Sequence, residues 1–134
     1  MRKRVITTRR SPRPLPGAVY SQGIKVQGAR SLIFVSGFTS RDVRTGRVLH
    51  RGDIKGQTRQ VLQNVQGVLE AAGARMSDVV KVTVFVTNLR RHFKAIHEVR
   101  REFFTKDYPA STMVEVKGLS DPALMIEIDA VAVQ

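Results

Sequence analysis

Val79-Val80-Lys81-Val82-Thr83-Val84-Phe85-Val86 is the densest run of β-formers in the chain and reads as a central strand. Asn88 follows as a candidate N-cap. From there Leu89, Phe93, Ile96, Val99 or Arg100, and Phe103 recur at spacings of three and four, the mark of a helix with one buried face, and Pro109 stops it. On the N-terminal side, Thr58, Val61, Leu62, Val65, Val68, Leu69 and Ala72 repeat the same spacing behind Asp53, a good N-cap, with Gly73 placed to end the helix.

Outward from this helix-strand-helix centre, the remaining segments read as strands. Ser31-Leu-Ile-Phe-Val-Ser36 ends at Gly37, and Gly46-Arg-Val-Leu49 follows a turn that Asp42 enters and Gly46 leaves, so the pair predicts a hairpin or meander. Ser111–Val116 and Met125–Val133 are two more, the last alternating Ile126, Ile128, Ala130 and Ala132 with Glu127, Asp129, Val131 and Val133. This order predicts an α+β domain, a sheet with both helices on one face. Strand faces such as Val82/Val84/Val86 and the Ile126 strand exceed what two helices cover, so a homo-oligomer is expected.

The chain has 134 residues, enough for one core, and its Lys and Arg exceed its Asp and Glu by 23 to 11, a net charge of +12. Arg2, Lys3, Arg4, Arg9, Arg10 and Arg13 supply half of that excess before any acidic residue appears. Residues 1–16 therefore read as a basic arm punctuated by Pro12, Pro14 and Pro16, and 17–134 as a single domain. Such an arm attracts phosphates weakly and without sequence preference, and it carries no interleaved aromatics for base stacking.

Cysteine is absent, which excludes disulfides, thiolate metal sites and cysteine nucleophiles. Three histidines, His50, His92 and His97, form no zinc-binding helical pair, so no metal is expected. No apolar run has the length of a membrane span and no secretory signal opens the chain, so the expected location is cytoplasmic.

Six blocks in order carry more. They are Val19-Tyr-Ser-Gln-Gly23, Val35-Ser-Gly37, Gln57–Asn64 leading into Val68–Gly73, Asp78-Val-Val-Lys81, Tyr108-Pro-Ala110 with Val114-Glu-Val116, and Ile126-Glu-Ile-Asp-Ala130. Together they closely resemble the Rid (reactive intermediate deaminase), or YjgF-like, family from about Ala18 onward. The resemblance implies a chorismate-mutase-like fold assembled as a homotrimer with clefts at subunit interfaces. It also implies hydrolysis of enamines and imines to keto acids and ammonia without metal or cofactor.

By the same resemblance, Glu127 orients or deprotonates water and Tyr20 supplies a phenol, the two catalytic candidates. Ser36 and Gly37 offer polar backbone, and Phe38, His97, Ser111 and Met113 complete the substrate-binding candidates. The chain departs from the family at the clamp for the substrate carboxylate, where Ser111 stands in place of Arg. A hydroxyl gives one neutral hydrogen bond where a guanidinium gives two charged ones, so ordinary 2-iminopropanoate hydrolysis is expected to be slow or absent. Arg90, Arg91 or Arg100 would restore the clamp if the fold brought one there, whereas a pocket of Phe38 and Met113 would favour a more apolar ligand. Three functions follow: an imine or enamine hydrolase of altered specificity, a ligand-binding trimer without turnover, and weak nucleic-acid association or ribonuclease-like activity.

Overall fold

The structure is a computed structural model that describes all 134 residues. The elements run β1 (Arg2–Ile6), β2 (Gly23–Gln27), β3 (Leu32–Phe38), α1 (Ile54–Ala71), β4 (Val79–Val86), α2 (Leu89–Phe103), β5 (Ala110–Glu115) and β6 (Ile126–Val133). Four strands form a mixed sheet in the order β3-β6-β4-β5, with β5 parallel to β4 and the other pairs antiparallel. Both helices pack on one face, as the α+β reading expects.

Local chemistry explains most of the boundaries. The Asp53 carboxylate accepts the Gly56 amide at 3.0 Å and opens α1. Gly73 closes it at φ +73°, a conformation that lets Ala74 donate back to the Leu69 carbonyl at 2.8 Å. Gln57 is fully buried near the start of α1, where it donates to the Ala123 carbonyl and accepts the Met125 amide, both at 2.8 Å. One side chain thus ties α1 to the entry of β6.

Three expectations change. Asn88 precedes α2 but sits in the left-handed region at φ +49° and makes no side-chain cap. Instead Glu115, at the end of β5, accepts the Leu89 amide at 2.9 Å. Gly46–Leu49 does not become a strand: the Asp42 carboxylate accepts the Arg44 and Thr45 amides and builds the turn, but only Arg41 and Val48 pair across it. Residues 2–6, within the basic arm, do become a strand, because β2 pairs with β1 from Arg2↔Gln27 to Ile6↔Gly23 and supplies the partners that the segment lacks alone.

The core also corrects the reading of the sheet's two faces. Val82, Val84 and Val86 lie opposite Ala130, Ile128 and Ile126, and all six are buried under the helices against Val61, Leu62, Val65, Leu69, Ile96 and Val99. These strands are fully covered. The uncovered face is the other one, where Leu32 and Phe34 of β3 and Val114 of β5 are 60%, 74% and 39% exposed, alongside Lys81, Thr83, Phe85, Glu127 and Asp129.

Candidate functional site

β3 slips by one residue against β6. Val35 pairs with Ala130 and Phe38 with Ile128, so Ser36 and Gly37 together oppose Asp129 in a β-bulge. The extra residue brings the strand backbone under the Glu127 side chain. A Cβ built on Gly37 would collide with Glu127 Oε2 and lie 3.0 Å from Cδ and 3.1 Å from Cγ. A side chain at this position would displace the carboxylate, which rests on the Gly37 backbone. Glu127 enters neither of the protein's ion pairs, Lys55–Glu98 and Arg59–Glu102.

Tyr20 and Ser111 meet elsewhere, in a cavity of about 370 Å³ at the outer edge of β5, with Gln22, Lys81 and Thr112 also on its walls. The Ser21 amide donates to the Pro109 carbonyl at 3.1 Å, and Ser21 bridges Ala110, which fixes the Tyr20 segment beside the start of β5. Tyr20 in turn accepts the Leu15 amide at 3.1 Å.

His97 does not line that cavity; it supports the segment from beneath. It is 3% exposed, its Nδ1 accepts the Val19 amide at 3.0 Å, and Phe93 packs edge-on against its ring. Burial, then Arg100 and Arg101, hold its pKa down at about 4. Arg100 is 1% exposed; its Nη2 donates to the Val19 carbonyl at 2.8 Å, Nη1 has no partner, and burial lowers its pKa to about 10.

None of the arginines considered as a replacement clamp reaches Ser111. Arg90 and Arg91 share a cavity with Glu115 at the opposite end of β5, and Arg100 is occupied by Val19. Phe38 lines a separate cavity of about 630 Å³ between β3, the Asp42 turn and α1, and Met113 packs against the core. The apolar pocket expected from these two side chains does not form at Ser111, because the bulge sends Phe38 to the helix face and Met113 follows Val84 there.

Lys81 is the residue that sequence reasoning missed. Its Nζ donates to Thr112 Oγ1 at 2.8 Å and to the Val82 carbonyl at 3.1 Å, one residue from Ser111. Burial lowers its pKa, with Asp129 and Arg100 pulling in opposite directions. The signal was present: one cation interrupts the Val79–Val86 run.

Within one chain the sheet separates Glu127 from Ser111. Glu127 pairs with Phe85 and Ser111 with Val82, which puts them on opposite faces. They are two strands apart and three residues along, roughly 10 Å in each direction at ordinary strand spacing and rise. A small substrate in the Tyr20/Ser111 cavity cannot touch Glu127 of the same chain.

Comparison with known proteins agrees with this architecture. The family model described as endoribonuclease L-PSP matches residues 10–134. A RutC family protein of Pyrococcus horikoshii is 43% identical over 97% of both chains. A 2-iminobutanoate/2-iminopropanoate deaminase of Dermatophagoides farinae is 37% identical over 98% of this chain and 96% of its own. The crystal structure of YyfB from Yersinia pestis, a Rid-family protein of unknown function, superposes with a TM-score of 0.88 at 29% identity over the full length of both. A family match spanning nearly the whole chain and the fold of a Rid protein over every residue lead to one conclusion: this chain belongs to the Rid (YjgF-like) family.

Proposed function

We propose that the protein is an imine or enamine hydrolase whose reaction centre forms between copies of a trimer. Glu127 of one copy faces the Tyr20/Ser111 cavity of the next. The observation that carries this is the Glu127 carboxylate, seated on Gly37 on the uncovered sheet face and paired with no cation. A carboxylate so placed is free to take a proton from water.

The reaction balances simply. Water oxygen bonds to the imine carbon while Glu127 accepts one proton and passes it to nitrogen, giving a carbinolamine; the carbinolamine's hydroxyl proton then reaches nitrogen by the same carboxylate, the C–N bond breaks as C=O forms, and ammonia leaves a keto acid. An enamine first takes a proton on carbon to become the imine. The Dermatophagoides relative's name, a deaminase of 2-iminobutanoate and 2-iminopropanoate, supports this reaction class.

The test is hydrolysis of imino acids released by an amino-acid oxidase, followed as loss of the imine. The wild type should turn over part of such a panel, with 2-iminopropanoate slow because Ser111 offers no charged clamp. Glu127→Gln should lower the rate by about 10²-fold or more. No turnover on any imino acid, in a protein that still binds the product acids, would favour the ligand-binding trimer instead.

A further inference from the structure

The Tyr20/Ser111 cavity continues past Tyr20 into a second one of about 640 Å³, lined by Arg9, Arg13, Thr8 and the same Tyr20, Ser21 and Gln22. Three cations, Lys81, Arg9 and Arg13, thus stand along one cleft, and within one chain no carboxylate lines either part of it; in the trimer proposed above, the neighbouring copy's Glu127 is the acid brought to its Tyr20/Ser111 end. Behind the wall, Asp129 and the buried Arg100 act on Lys81 in opposite directions, and Arg100 has no acidic partner in an ion pair.

The cleft is also held in shape. Gln22 accepts the Thr8 amide at 2.7 Å and donates to the Thr8, Ser11 and Pro12 carbonyls at 3.1, 3.0 and 2.8 Å. That clasp folds the Pro-containing arm back over β5 and carries Arg9 and Arg13 to the cleft.

We propose that this cleft is a two-anion site for a small 2-oxo or 2-imino acid, with the carboxylate next to the reacting carbon on Lys81 and Ser111 and a second anionic group between Arg9 and Arg13. The ligand class rests on the hydrolase reading above; the charge pattern does not. Lys81 gives back the charge that Ser111 lacks, and the arm sets the preference for a second charge. Arg9 and Arg13 are exposed, so water screens them and their effect is about tenfold rather than thousandfold.

The experiment is isothermal titration of the full-length protein at low salt with stable oxo acids: 2-oxobutanoate with one anionic group, and 2-oxoglutarate and phosphonopyruvate with two. At least one doubly anionic acid should bind about tenfold or more tighter than 2-oxobutanoate, and whichever does identifies the second group as carboxylate or phosphonate. The Arg9→Gln/Arg13→Gln double variant should bring the affinities to one value. Lys81→Met should weaken all of them about tenfold or more, while Lys81→Arg, which keeps the charge, should retain binding and controls for misfolding.

Equal affinities in the wild type, a preference untouched by the double variant, or Lys81→Met binding as well as wild type would each overturn the site, as would no binding at all. Imino-acid turnover is read separately. Hydrolysis without the doubly anionic preference removes this inference alone, and the preference without hydrolysis removes the hydrolase reading alone.

Discussion

The Val19 amide donates to Nδ1 of His97 at 3.0 Å across 78 positions of sequence, and the bond exists only while that nitrogen is unprotonated. An unfolded imidazole takes its proton near pH 6.5 and this one only near 4, so between those values the unfolded chain binds more protons. Stability is therefore full above about pH 6.5 and falls as the pH drops toward 4, by about 3 kcal/mol in all at roughly 1.4 kcal/mol per pH unit. Urea unfolding at pH 7.5, 5.5 and 4.5 should show this loss, and His97→Asn should flatten it. Arg100→Met, which removes a buried cation beside the ring, should raise the His97 pKa in an NMR titration.

Gly37→Ala should separate activity from folding. The added methyl meets the far end of a flexible Glu127 side chain, which swings aside at little cost in stability. The melting temperature should stay within a few degrees, while imino-acid hydrolysis falls about as far as in Glu127→Gln. A variant with full activity would mean that the carboxylate position does not matter.

Gln57→Leu should behave in the opposite way. It leaves the Ala123 carbonyl and the Met125 amide without partners in a buried setting, which costs roughly 2–4 kcal/mol. Denaturant titration should register that loss.

Sedimentation equilibrium should give a mass three times the 15.0 kDa of the chain. Phe34 is 74% exposed on the uncovered sheet face, and burying one such ring contributes roughly 2–3 kcal/mol. Phe34→Asp should therefore shift the mass toward that of the monomer and lower hydrolysis with it. A trimer unaffected by Phe34→Asp would move the interface to another face.

The parts of the fold that depend on near neighbours were legible. Asp53, the repeat from Thr58 to Ala72, and Gly73 define α1 within one stretch of chain, and the Val79–Val86 run reads directly as a strand. What escaped depends on distant partners. β1 is mostly charged and becomes a strand only through β2, and the cap of α2 comes from Glu115, 26 residues away. Ser111, Met113 and Glu127 were grouped by family likeness, which carries no information about which face of the sheet each side chain takes within one chain. Lys81 is one cation within a run of β-formers, and only the folded arm shows it to be a cavity wall.

The bulge at Ser36-Gly37 is, in the end, a change of phase. Along a regular strand, residues four apart point the same way, so Phe34 and Phe38 would share a surface. The extra residue inverts the alternation midway: Phe34 stands outward in solvent, and Phe38 turns inward toward the helices. Deleting a single residue there would leave the rings three apart and still on opposite sides, but would withdraw the floor beneath Glu127. One surplus residue thus sets one ring of β3 in solvent and the other in the protein's own interior, and the acidic side chain lies at the boundary.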